Sequence, residues 1–329
     1  MSDQTRAMKE VMQAIRRHRS FMVSSHVNPE GDALGSAFAL AALIRRLGKR
    51  AVVANDGGVP RVFDFIPRAA PALARGARPA TPEVAITVDV PVLSRTGRLA
   101  RVIKRAPLTV NIDHHVSNQR FSDVNWVDPK AAAVGEMIYR LYKAFRVTPS
   151  RKAAACLYIS IVTDTGSFRY MSTTPEVHRI ASELVSRGVS PLKVAQDLYE
   201  CHSAADLKFL GEVLQSLRST GGNRVAWIEV PYRLLRRHRP GPEIQDELVN
   251  YPRAVRTAEV AFVLREHSPS RTVRVSFRSK GNVDVNRIAR RFGGGGHMAA
   301  SGCTVPGTLG QARARVLRAV REELKTYRL

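Results

Sequence analysis

The sequence predicts an α/β protein of two domains: an N-terminal, mostly parallel sheet flanked by helices, and a smaller α/β domain after it. Three observations carry this. Residues 107–112 and Val84–Val88 are short apolar runs rich in β-branched residues, as expected of strands buried inside a sheet. Phe21 opens a further strand that turns through Pro29 and Gly31 into a helix running to about Leu47, with Gly48 as its stop. Downstream of Gly221-Gly222-Asn223, strands at Val225–Val230, Val260–Glu266 and Thr272–Ser279 and a helix at 285–292 form a second, separate pattern. The expected division is a catalytic part over 1–190, a helical connection over 191–220 and a smaller domain over 221–329. A length of 329 residues with 44% hydrophobic content lets both parts bury a core.

Composition narrows the function classes. No apolar run approaches the roughly 20 residues of a membrane span, and the first 19 residues are too polar for a signal peptide, so a cytoplasmic protein is expected. Cys156, Cys201 and Cys303 are odd in number and lack paired spacing, which disfavours a disulfide framework or a thiolate zinc site. The formal charge of +24 points to polyanions such as nucleic acids or nucleotides. Arginine supplies 42 of the 52 basic residues, a bias that genome base composition also produces, so charge does not identify the bond acted on.

The polar residues at element ends are more specific. The strand at 107–112 empties into Asp113-His114-His115, which places a carboxylate and imidazoles at the carboxyl end of a strand, where open α/β sheets present their ligand crevices. The first strand opens into His26-Val27-Asn28-Pro29-Glu30-Gly31-Asp32, so three ionisable groups share one strand-to-helix turn. Capping of the helix by Asp32 accounts for one of them, not for all three. Val84–Val88 ends on Asp89, and the helix over 152–163 delivers Asp164-Thr165-Gly166-Ser167-Phe168-Arg169. Carboxylate oxygens mixed with imidazole suit Mn²⁺, and also Mg²⁺, Co²⁺ or Zn²⁺. Two such ions about 3.5 to 4 Å apart, sharing one carboxylate, can activate water and hold phosphoryl oxygens for in-line attack.

In the second part, Ser276-Phe277-Arg278-Ser279 lies at a strand end, and Gly293-Gly294-Gly295-Gly296-His297 follows a helix. Four glycines in a row are costly to order, by about 0.5 to 1 kcal/mol each relative to alanine, and they let backbone amides approach a phosphate closely.

Together these stretches resemble the motifs of the DHH phosphoesterase superfamily and its DHH-associated C-terminal domain, over nearly the whole chain. The resemblance implies that His26, Glu30 and Asp89 hold one metal ion. Asp32, Asp89, His114 and Asp164 would hold a second, with Asp89 bridging. It further implies that Asp113 orients a ligand histidine, that His115 acts on the scissile phosphate, and that Arg278, Ser279, Gly294, Gly295, Gly296, His297 and Arg169 contact substrate. Glu30 departs from the pattern, since aspartate is more usual there. Within the superfamily the nearest type is the nanoRNase, an oligoribonuclease and pAp phosphatase using two Mn²⁺ ions, with Mg²⁺ or Co²⁺ as substitutes. The resemblance implies short RNA oligonucleotides and nucleotides as substrates, no membrane partner and a homodimer. The gap between the domains would then measure substrate length.

Alternatives remain open at this level. A phosphodiesterase for cyclic or linear dinucleotides would use the same ligands. A manganese pyrophosphatase would carry a lysine-rich signature in place of the glycines, and a processive exonuclease would need further binding domains. A non-catalytic nucleotide or RNA-binding module would be expected to lack ligands. Arg233, Arg236, Arg237 and Arg239 form one basic cluster and Arg313, Arg315, Arg318 and Arg321 another; solvated helix faces explain both without RNA.

Overall fold

The carboxyl ends of three neighbouring parallel strands lie side by side along one edge of a sheet, and they lead into His26, Asp89 and Asp113-His114-His115. The structure, a computed structural model, describes residues 3–60, 63–74, 80–267, 271–281, 283–296 and 298–327. It divides into two compact units, one up to Leu198 and one from Tyr199.

The first unit contains, in chain order, α1 (Asp3–Arg17), β1 (Ser20–Ser24), α2 (Gly31–Arg46), β2 (Arg50–Val53), β3 (Val84–Val88), α3 (Ala100–Arg105), β4 (Leu108–Asp113), β5 (Val124–Val127), α4 (Val134–Ala144), α5 (Arg151–Asp164), α6 (Pro175–Ser186) and most of α7 (Pro191–Tyr199). Its strands pair in the order β2-β1-β3-β4-β5, every pair parallel. Alternation along the strands decides which side chains face which layer. Val84, Ile86, Val88, Val110 and Ile112 pack with α2, α4 and α5 on one face, while Met22 and Ala85 meet Leu99 and Ile103 on the other. Each fully buried Val, Leu or Ile contributes about 1.5 to 3 kcal/mol, so the apolar runs hold the sheet between two layers.

Strand β5 was not expected, because 124–127 is short and carries Asn125 between its apolar residues. It pairs with β4 at the sheet edge, with Val124 and Asn125 half-buried and Trp126 and Val127 buried.

The second unit contains α8 (Ala204–Leu214), β6 (Arg218–Thr220), β7 (Val225–Val230), α9 (Tyr232–His238), α10 (Pro242–Glu247), α11 (Asn250–Ala254), β8 (Val260–Glu266), β9 (Thr272–Ser279), α12 (Val285–Arg290), β10 (Gly295–Gly296), β11 (Ala300–Pro306) and α13 (Leu309–Thr326). Its sheet runs β10-β11-β9-β8-β7-β6, with β7 and β8 parallel and the other neighbours antiparallel. Gly221-Gly222-Asn223 turns β6 back onto β7, so this turn lies inside the sheet's connectivity. All three residues have positive φ, which explains the two glycines and the asparagine. No described helix is long and apolar enough to cross a membrane.

Candidate metal centre

His26 leaves the end of β1 with its ring buried, and its Nδ1 donates to the Val27 carbonyl at 2.8 Å. A carbonyl only accepts, so Nε2 is the ring atom left to act as ligand. That Nε2 lies 3.0 Å from Glu30 Oε2 and 3.3 Å from Asp89 Oδ2. His114 repeats the arrangement: Nδ1 meets the Ala131 carbonyl at 3.1 Å. Its Nε2 faces Asp164 Oδ2 at 3.2 Å, Asp89 Oδ1 at 3.7 Å and Asp32 Oδ2 at 3.9 Å.

The two oxygens of Asp89 thus point at different histidines. His26, Glu30 and Asp89 form one group able to hold a cation, and Asp32, His114 and Asp164 another, with ligand atoms within 4.8 Å of one another in each. Asp89, His114 and His115 also satisfy that spacing. Mixed carboxylate and imidazole donors fit a divalent ion of intermediate hardness.

The placement of each of these side chains has a local cause. Asp89 follows β3 in the left-handed region, φ 58°, where its amide donates to the Ile112 carbonyl at 3.0 Å. That conformation costs an ordinary residue about 1 to 3 kcal/mol and turns the side chain back over the sheet edge. The N-cap of α2 is Glu30, whose Oε1 accepts from the Ala33 amide at 3.4 Å, so Asp32 is not the cap. Asp32 Oδ2 accepts from the Val134 amide at 2.9 Å. Its Oδ1 accepts from the Gly135 amide and from the hydroxyls of Ser36 and Ser160 at 3.2, 2.9 and 2.5 Å. Asp164 ends α5 and brings its carboxylate to His114.

Burial and mutual charge shift several groups of the cluster. Burial disfavours a charged His26, yet hydrogen bonds to Asp89 and Glu30 overcome it and raise the imidazole to about 10. Burial likewise opposes charge on His114, and the fields of Asp164, Asp32 and Asp89 lift it to about 10. Burial, reinforced by the charge of Asp32, pushes Asp164 up to about 7. Asp89 rises well above the carboxylate range for the same first reason, its burial. Glu30 moves the other way, to about 2, because its bond to His26 outweighs burial.

Asp113 is bonded to His115, not to His114. It is fully buried, and its Oδ1 accepts from His115 Nδ1 at 2.7 Å, while Oδ2 accepts from Asn118 Nδ2 at 2.5 Å. The ring pointing toward Asp164 and Asp32 is His114, held by Ala131. Asn118 also reaches Asn111 Oδ1 at 2.8 Å, and Asn111 Nδ2 reaches Thr87 Oγ1 at 2.9 Å, so an amide ladder fixes Asp113 from below. The sequence reading assigned no role to Asn111, Ser36 or Ser160. Spacing offered one signal: Ser160 precedes Asp164 by one helical turn on α5 and shares its face.

The remaining candidates lie on other segments. Arg169 is exposed, and its Nε donates to the Gly166 carbonyl at 2.6 Å. In the second unit Arg278 pairs with Ala300 across β9 and β11, and Ser279 is buried with no hydrogen-bond partner for its hydroxyl among the described residues. The glycine stretch is partly strand: Gly295 and Gly296 pair with Gly302 and Ser301. A Cβ on Gly294 would lie 2.2 Å from the Gly302 carbonyl oxygen, so close backbone approach is one reason for glycine there. His297 lies outside the described residues. Arg237 pairs with Glu212, and Arg313 Nη1 lies 3.0 Å from Glu229, so each basic cluster has a member tied to an acid.

Residues 20–161 match the DHH family N-terminal domain and residues 236–326 the DHHA1 domain. The bifunctional oligoribonuclease and PAP phosphatase NrnA of Thermus thermophilus is 33% identical over 333 residues, covering 98% of this chain and 95% of its own. The Bacillus subtilis protein of the same name is 33% identical over 201 residues, covering 60% of this chain and 62% of its own. An exopolyphosphatase-related protein from Bacteroides fragilis shares the fold, with a TM-score of 0.90 at 24% identity, covering 99% of this chain and 98% of that one. The full-length match to the Thermus protein and the two domain matches agree with the clustered carboxylates and imidazoles: the chain belongs to the DHH family, whose phosphoesterases are metal-dependent.

Proposed function

We propose that this protein hydrolyses short oligoribonucleotides to nucleoside monophosphates and removes the 3′-phosphate of 3′-phosphoadenosine 5′-phosphate (pAp), using two Mn²⁺ ions. One observation carries the reading: Asp89 presents one oxygen to His26 and the other to His114, as a carboxylate shared between two cations must. The relatives' names supply the substrate class. His26, Glu30 and Asp89 would hold one ion, and Asp32, Asp89, His114 and Asp164 the other. Bound there, the ions supply Lewis-acid stabilisation of the phosphoryl oxygens and an acidified water.

The chain's own groups do the rest. His115, steadied by Asp113, donates a hydrogen bond to the phosphate or a proton to the leaving oxygen. Arg278, Ser279 and the amides of Gly294, Gly295 and Gly296 are proposed to contact a substrate phosphate, and Arg169 is assigned to substrate on the resemblance alone. This places metal chemistry in the first part of the chain and substrate contacts in the second, after the helical connection. A homodimer and a cytoplasmic location belong to the same reading, on the strength of the resemblance and of where RNA fragments arise.

The test is a Mn²⁺-supplemented assay over pAp, RNAs of two to five residues and a cyclic dinucleotide. Turnover of the first two with little of the third is expected. Preference for the cyclic compound would transfer the assignment to a cyclic-dinucleotide phosphodiesterase.

A further inference from the structure

Asp32 accepts four hydrogen bonds, from groups on three helices. Its Oδ1 accepts three hydrogen bonds, from the Ser160 hydroxyl at 2.5 Å, the Ser36 hydroxyl at 2.9 Å and the Gly135 amide at 3.2 Å. Its Oδ2 accepts one, from the Val134 amide at 2.9 Å, and points toward His114 Nε2 at 3.9 Å. Ser36 and Ser160 are fully buried, with their hydroxyl oxygens 3.3 Å apart. Each hydroxyl has a single proton, and both are used on the same carboxylate oxygen.

Small residues make room for this. A Cβ on Gly135 would lie 2.0 Å from Ser160 Oγ, and one on Gly35 would lie 2.4 Å from the Cys156 carbonyl oxygen and 3.1 Å from Ser160 Cβ. The close approach of α2, α4 and α5 therefore brings a hydroxyl of α5 to a carboxylate of α2. The same helix supplies Asp164 one turn later.

We propose that Ser160 is a positioning residue: with Ser36 it saturates Oδ1 of Asp32, so that Asp32 offers a metal ion one oxygen only, Oδ2, turned toward His114 and Asp164. This rests on the two-metal reading above. Ser160 acts through Asp32 and touches no substrate. A carboxylate free to rotate would alternate between one-oxygen and two-oxygen coordination. Fixing the rotamer sets the ligand count of that ion, and outer groups of this kind typically govern metal affinity by about 10- to 100-fold.

The experiment is calorimetric titration of the metal-stripped full chain with Mn²⁺. Wild type should show two binding events, one lost in His26→Ala and the other in Asp164→Ala. Ser160→Ala should weaken the Asp164-dependent event by about 10-fold and spare the other. Ser36→Ala should act in the same direction and provides an independent variant should Ser160→Ala fold poorly. A purely structural role would lower the melting temperature and leave both affinities alone, and that result overturns the proposal. Equal weakening of both events overturns it as well. A wild-type chain that takes up no divalent ion would sink the two-metal reading itself and this inference with it.

Discussion

Asp113 Oδ1 and His115 Nδ1 lie 2.7 Å apart in the floor of the site, with the carboxylate wholly buried. Burial alone would raise this acid, but the bonds from His115 and Asn118 win and hold it below the usual carboxylate range. A buried carboxylate kept ionised fixes the ring's orientation and proton, leaving Nε2 as the working atom. Asp113→Asn should therefore lower kcat by about 10- to 100-fold while leaving Mn²⁺ affinity near wild type. Steady-state kinetics on pAp beside a metal titration will check this; a variant that loses metal and rate together would move Asp113 into metal binding.

Asp89, proposed above as the shared ligand, sits on strained backbone at φ 58°. Asparagine tolerates the left-handed region better than alanine, by about 1 kcal/mol. Asp89→Asn and Asp89→Ala should both abolish metal-dependent hydrolysis of every substrate, yet the asparagine variant should melt at the higher temperature. Substantial turnover by either one contradicts the bridging role.

Metal uptake should release protons. At pH 7 without metal, His26 and His114, both raised to about 10, carry protons that a cation must displace. About two protons per chain are expected, one from each imidazole. The sign follows: affinity should climb as pH rises from 7 toward 10, because less protonation has to be undone. Conversely, the stability that the charged imidazoles lend the metal-free fold is complete below their ordinary value near 6.5 and lost as pH rises through about 10. Calorimetry in two buffers of different ionisation enthalpy measures the release; identical heats would show that none occurs.

Gly294→Ala forces a Cβ to within 2.2 Å of the Gly302 carbonyl oxygen and 2.5 Å of Cys303 Cβ. Overpacking of this kind costs about 1 to 3 kcal/mol and should displace β10 from β11. Arg278→Ala leaves the backbone alone. Both should raise KM for pAp, but only the glycine variant should also lower the melting temperature.

Replacing Arg318 and Arg321, exposed on α13, with glutamine tests whether charge binds RNA. If it does, the slope of log affinity against log salt for a single strand should flatten by about 0.7 for each phosphate that is no longer neutralised, with pAp turnover unchanged. Equal loss on both substrates, or none on either, rejects a role in RNA binding.

Much of this was legible from residue order. Apolar runs that end on acids and imidazoles mark buried strands and the edge they feed, because side-chain period and chain punctuation are local properties. Val84–Val88 followed by Asp89, and β4 ending on Asp113, were readable in that way. Partnership was not. Asp32 finds its donors at Val134, Gly135 and Ser160, more than a hundred positions away. Asp113 turns to His115 instead of His114, and Glu30 caps the helix that Asp32 was free to cap. Three helices had to pack before a serine on one could fix a carboxylate on another. Local sequence names the donors; the packing decides which oxygen each of them meets.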